Sequence, residues 1–127
     1  MALRCPECGG SGLRIQATME LGPDHRSDER SIQALRCPDC GLTAVGMYEE
    51  SRRGALDSES WSHTGYPAGV KALAALKRLV RSCPAPKDPR CKCAAHRRLD
   101  QAVGGDESIL PGVEWSRPFG IRLTGQS

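Results

Sequence analysis

Large rigid side chains are scarce in this chain. Aromatic residues fill 4% of its 127 positions, as Tyr48, Trp61, Tyr66, Trp115 and Phe119, so a core of ordinary size cannot be assembled around them. No run of 18 apolar residues occurs: the longest apolar-leaning stretch, 68 to 80, is broken by Lys71, Lys77 and Arg78, which argues against a membrane span. The opening residues, Met1 to Cys5, form no apolar signal segment, and the expected location is the cytoplasm. A large basic excess is also missing. Eighteen Lys and Arg against 15 Asp and Glu leave a net charge of +3, well short of a dedicated nucleic-acid binder. Finally, there is no phosphate-cradling glycine loop, no nucleophile elbow and no His-Glu-x2-His helix, so no familiar enzyme motif offers a starting point.

What the chain does have is cysteine. Seven occur, an odd number, and in a reducing compartment clustered thiols serve as metal ligands more often than as disulfide partners. Metal cross-links also supply what a small, glycine- and proline-rich chain lacks in core. Two segments, Arg4-Cys-Pro-Glu-Cys-Gly9 and Arg36-Cys-Pro-Asp-Cys-Gly41, are near copies. Each Cys-x2-Cys turn aims two thiolates at one point, and Cys5, Cys8, Cys37 and Cys40 together complete a tetrahedral, closed shell for zinc. Glycine follows each pair, where a left-handed backbone lets amides turn toward the sulfurs. Disulfides between the pairs are the alternative.

These two Cys-Pro-x-Cys-Gly knuckles, whose cysteine pairs are separated by 28 residues of strand-turn-strand pattern, resemble the zinc-ribbon family of transcription factors, polymerase subunits and small bacterial proteins. The resemblance covers about residues 3 to 48. It implies a zinc-bound β-ribbon, and leaves activity open because such ribbons bind DNA, RNA and protein alike. Some elongation-factor ribbons carry an acidic pair at the hairpin tip, where this chain has Asp28-Glu29; a solvated loop is the plainer reading.

A second ligand set follows. Cys83-x7-Cys91-x-Cys93-x2-His96 puts three thiols and an imidazole within fourteen residues, suited to a second tetrahedral zinc. Pro84, Pro86 and Pro89 stiffen the intervening loop, which lowers the entropy lost on gathering the ligands. The spacing also leaves room for His63 as the fourth ligand, for a water there and hence an open position, or for Cys91 and Cys93 as a reactive pair beside Arg90, Lys92 and Arg97.

The pattern along the chain organises these sites. Alternation over 13 to 18 and 31 to 36 reads as two strands, with an exposed tip from Leu21 to Arg30 between them, and 42 to 48 reads as a third strand. The segment from Ala68 to Ser82, with Val70, Leu73, Leu76 and Val80 at helical steps, reads as the main helix. A short turn of helix is expected from Ala94 to Val103. The expected organisation is therefore a zinc ribbon over 1-48, a polar connecting region over 49-67, a helix with the second cluster over 68-103, and a C-terminal tail over 104-127 that packs on the body. The fold class is a small metal-stabilised α+β protein: a ribbon sheet of about three strands, one main helix and a Cys3His site.

Function is expected to be binding, with two zinc ions per chain and no membrane. A binding module or adaptor with a protein partner comes first. A nucleic-acid-binding ribbon comes second, with Arg4, Arg14, Arg36, Arg52 and Arg53 as its basic face, although Glu49 and Glu50 interrupt it. A metal-dependent hydrolase or nuclease using Asp57, Glu59 and His63 comes third. Arg52, Arg53, Trp61, His63 and Tyr66 can form a recognition surface, or Trp61 and Tyr66 can simply plug a small core.

Overall fold

The structure is a computed structural model, and it describes residues 3–23, 29–51 and 60–122. Its elements in chain order are strands β1 (Arg14–Leu21), β2 (Glu29–Arg36), β3 (Thr43–Ser51) and β4 (Ser60–Pro67), helices α1 (Val70–Ser82) and α2 (Ala94–Val103), and the short strand β5 (Phe119–Gly120). The strands form one antiparallel sheet in sequential order.

Alternation decides which face of the sheet is covered. Met19, Ile32 and Met47 stand opposite one another across β1, β2 and β3, and Ala34, Val45 and Tyr66 do so across β2, β3 and β4. Side chains in register share a face, and these meet Ala72, Leu73 and Leu76 of α1 and Ala95, Leu99 and Ala102 of α2 in the main core. Ile109 and Leu110, beyond α2, complete that core. Leu76 and Leu99 are fully buried, and truncating either to alanine is expected to cost roughly 2 to 5 kcal/mol.

Helix boundaries follow local chemistry. Gly69 precedes α1 in extended conformation without a side-chain cap, and Ala68, expected inside the helix, instead bridges to Val113. Cys83 ends α1 with φ −83° and ψ 130°, as Pro84 requires of the residue before it. Helix α2 matches its expected span, and Cys93 caps it by accepting a hydrogen bond at sulfur from the His96 amide.

Among the described residues five strands stand where about three were expected. Residues 60 to 67, expected from sequence to be a polar connection, form β4 by pairing along β3; Ser62 and Thr64 occupy the positions where a hydrophobic alternation would have shown. Strand β5 docks because Gly65 is bare: a methyl group there would collide with the Phe119 ring. Leu21 and Arg30, expected at the ends of an exposed tip, belong to β1 and β2 and are both buried. A second, smaller core of Leu3, Cys5, Leu13, Leu35, Cys37, Ala44 and Ile121 lies at one end of the sheet. There the C-terminal segment returns: the Arg4 amide donates to the Arg122 carbonyl at 2.8 Å and the Ile121 amide to that of His63 at 2.8 Å.

Candidate metal centres

The first centre is built by two superposable turns. In each, the glycine amide after the second cysteine donates to the carbonyl of the first, Gly9 to Cys5 at 2.9 Å and Gly41 to Cys37 at 2.8 Å. Gly9 has φ +73° and Gly41 φ +83°, a region where a Cβ is sterically penalised. One turn leads into β1 and the other joins β2 to β3, so strand pairing brings them face to face. Cys5 and Cys37 point inward and are fully buried, whereas Cys8 and Cys40 lie on the exposed side.

The sulfurs cross-pair. Cys5 Sγ is 3.5 Å from Cys40 Sγ, Cys8 Sγ is 3.8 Å from Cys37 Sγ, and all four lie within 4.8 Å of one another. A tetrahedron with zinc–sulfur bonds of about 2.3 Å has edges of about 3.8 Å, whereas a disulfide needs about 2.05 Å. The donor set therefore fits a metal ion and not a covalent pair; all seven cysteines are free.

Electrostatics point the same way. The Leu42 amide lowers the Cys40 thiol pKa, but desolvation and the crowding thiols of Cys5, Cys37 and Cys8 outweigh it and push the value up to about 12. At Cys8 the Gly10 amide likewise pulls down, and desolvation with neighbouring thiols raises the value overall. Cys37 goes the other way: desolvation raises it, but the amides of Cys40 and Asp39 prevail and lower it. Four thiolates at this spacing repel one another, and a bound cation is what would allow them all to ionise.

The second centre is irregular in sequence and equally convergent in space. Cys83 closes α1, Cys91 and Cys93 follow the proline loop, and His96 sits in the first turn of α2. Cys83 Sγ lies 3.8 Å from Cys91 Sγ and 3.1 Å from His96 Nδ1, and Cys93 Sγ lies 3.4 Å from that same nitrogen. The four donor atoms are mutually within 4.8 Å. Desolvation and the thiols of Cys93 and Cys91 push Cys83 up to about 11, against the Ala85 amide. The backbone amide and the ring of His96 bring Cys93 down to about 6.

What fixes His96 lies far off in sequence. Its Nε2 is 2.9 Å from the Glu20 carbonyl of β1. A hydrogen on Nε2 donates to that carbonyl, which leaves the Nδ1 lone pair facing the three sulfurs. The Glu20 amide in turn donates to the Pro86 carbonyl at 2.7 Å. Buried Arg30 adds a further tie, donating from Nη2 to Asp100 Oδ1 at 2.7 Å and from Nε to the Gly22 carbonyl at 2.8 Å. Glu20, Gly22 and Arg30 carry no ligand signature, and only their placement beside α2 and the proline loop reveals their role.

His63, the alternative fourth ligand, is elsewhere. It lies on β4, with Nε2 2.6 Å from Gln33 Oε1 and its ring edge-on to Tyr48; burial lowers its pKa. Asp28, Arg52, Arg53, Asp57 and Glu59, which entered the acidic-tip, basic-face and hydrolase readings, lie outside the described residues. The two aromatics divide: Tyr66 packs on the main core against Trp115, with ring centroids 4.9 Å apart, whereas Trp61 is 62% exposed. Among the described residues no helix is long and apolar enough to cross a membrane.

The fold and site thus define a small α+β chain with two cysteine-rich clusters, each able to hold a metal ion, the first compatible with a zinc-ribbon-like site. Searches against family models, curated proteins and solved structures return no match.

Proposed function

We propose that this chain is a zinc-stapled binding module: an N-terminal zinc ribbon extended by β4, β5 and two helices, holding two structural zinc ions. The observation that carries the reading is the sorting of eight donors into two sets of four at the spacing of tetrahedral edges. Cys5, Cys8, Cys37 and Cys40 would hold the first ion, and Cys83, Cys91, Cys93 and His96 the second. Sulfur-rich shells of four protein ligands are closed, and closed shells hold folds together rather than activate water. In a chain with so few aromatics, metal affinity then becomes folding free energy.

Metal analysis of protein purified without added metal, with X-ray absorption on the same sample, tests this. Two zincs per chain, one in a four-sulfur shell and one with three sulfurs and a nitrogen, is the expected result. One zinc, or an oxygen ligand at the second site, would overturn the structural assignment there and revive the hydrolase reading.

A further inference from the structure

Charge in this chain is segregated along its length. Residues 71 to 98 contain nine of the 18 Lys and Arg but a single carboxylate, Asp88. The remaining residues hold the other nine cations against 14 carboxylates. The modest total of +3 therefore hides a strongly basic segment on a mildly acidic body.

Folding puts that basic segment on one layer. Helices α1 and α2 cover the same face of the sheet and carry six of the nine cations, while Lys87, Arg90 and Lys92 lie in the loop between them. Lys71, Arg78 and Arg81 are exposed at helical spacing on α1, and Arg97 and Arg98 are exposed on α2, one toward each of its flanks. Two shallow grooves flank α2. One, of about 470 Å³, lies between Lys71 and Arg78 on one side and Arg98 on the other, over a floor that includes Ala74, Ala75 and Leu79. The other, of about 500 Å³, brings Arg90, Lys92 and Arg97 together beside the second cluster.

These cations are not engaged internally. Among the described residues none of the nine forms an ion pair; the pairs found there are Arg30 with Asp100 and Arg117 with Glu114. Nearby acids do little to neutralise the layer. Asp100 is held by Arg30, and Asp106, which senses Arg98 through space, is hydrogen-bonded by the amide and hydroxyl of Ser108. With zinc bound as proposed above, three thiolates around one Zn²⁺ leave one negative charge at the second centre.

We propose that the α1–α2 layer binds the phosphate backbone of double-stranded DNA, independently of base sequence. Helix α1, at 13 residues, runs about 20 Å, over which a duplex presents on the order of a dozen phosphates. Between Val70 and Val103 there is no Phe, Tyr or Trp, so the layer offers no stacking platform for unpaired bases, the hallmark of single-strand binders. Cations on the outer sides of helices suit the B-form major groove, which admits a helix, better than the deep, narrow groove of A-form RNA. The zinc-ribbon end, where the sequence placed a basic face, is not part of this surface.

The test uses fluorescence anisotropy with a 20-base-pair DNA duplex, the matching single strand, an RNA duplex, and poly-glutamate as competitor. Binding to the DNA duplex should weaken about 100-fold between 50 and 200 mM KCl, the dependence expected for about four phosphate contacts. Arg78→Gln with Arg98→Gln should weaken it about tenfold. Arg14→Gln with Arg36→Gln, an equal change in net charge at the ribbon end, should weaken it less than threefold. No duplex binding at 50 mM KCl, equal loss in the two variants, tighter binding to single-stranded DNA or duplex RNA, or equal competition by poly-glutamate would each overturn the proposal. Metal content is measured on every sample. Fully zinc-loaded protein that ignores DNA overturns this inference alone, whereas folded, metal-free protein that binds DNA overturns the zinc reading alone.

Discussion

The two candidate metal centres solve the same problem with different amounts of help. The first joins two near-identical turns that carry their own geometry: the paired cysteines, the left-handed glycines and the amide hydrogen bonds all lie within residues 4 to 10 and 36 to 42. Its hydrophobic surroundings are small, and two of the seven buried residues there, Cys5 and Cys37, belong to the cluster itself. The second joins unlike pieces, a helix end, a proline loop and a helix start, and borrows its orientation from β1 through Glu20. It leans, however, on the main core, where Leu73, Leu76 and Leu99 already fix both helices. Where local geometry is rich the core is thin, and where it is poor the core is thick.

That contrast can be broken most forcefully at the first centre. Cys37→Ser with Cys40→Ser should release one zinc and unfold the ribbon end, a loss on the order of the 10 kcal/mol or more that structural zinc contributes to small modules. Hydrogen exchange should show lost protection from β1 through β3 near the knuckles, with helical circular dichroism largely kept. Retention of both metals would refute the ligand assignment.

Cys83→Ser should do less. It should cost the second zinc and open residues 84 to 93 to proteolysis, while α1 stays docked on its buried leucines. If this variant instead loses the ribbon and the first zinc as well, the two regions are one cooperative unit and the contrast fails.

Arg30→Ala sharpens the comparison by removing a tie between the hairpin and α2 without touching a ligand. Severing a buried ion pair can cost 3 to 5 kcal/mol; Asp100 is 55% exposed, and solvent screening reduces the expected loss to about 2 kcal/mol. Thermal denaturation of the zinc-loaded protein should show this with both metals retained.

The smallest effect is in protons. Cys40 at about 12, Cys83 at about 11 and Cys8 raised above its ordinary value are thiols at pH 7 in the metal-free protein, whereas Cys93 at about 6 is already thiolate. Zinc binding should therefore release at least three protons and tighten as pH rises, which calorimetry in buffers of different ionisation enthalpy would measure. The Cys93 value lies below its ordinary 9.0, so its contribution to the stability of the metal-free fold is complete above about pH 9 and disappears as pH falls through about 6. A count of one proton or none would contradict these assignments.

The legibility of the two regions in sequence follows the same division. The knuckles were plain because ligand, turn and glycine are neighbours in the chain, and the Cys83 to His96 set was plain as a list of residues. Helix α1 showed through its spacing of Leu73 and Leu76. Strand β4 did not, because Ser62 and Thr64 conceal its alternation, and β5 did not, because two residues bear no pattern. Glu20 and Arg30 escaped notice for another reason. A backbone carbonyl that orients a histidine 76 positions away, or an arginine buried by a helix 70 positions on, leaves no mark in its own neighbourhood.

One feature of β1 reaches beyond the histidine it helps to position. Strand β1 is one edge of the sheet, and an unpaired strand margin is a template for pairing with another molecule. At Glu20 both outward main-chain groups are already taken, the amide by Pro86 and the carbonyl by His96. The proline loop and its histidine thus act as a guard rail on that margin. Stripping the second zinc should produce a protein that self-associates through β1 before it loses its helices.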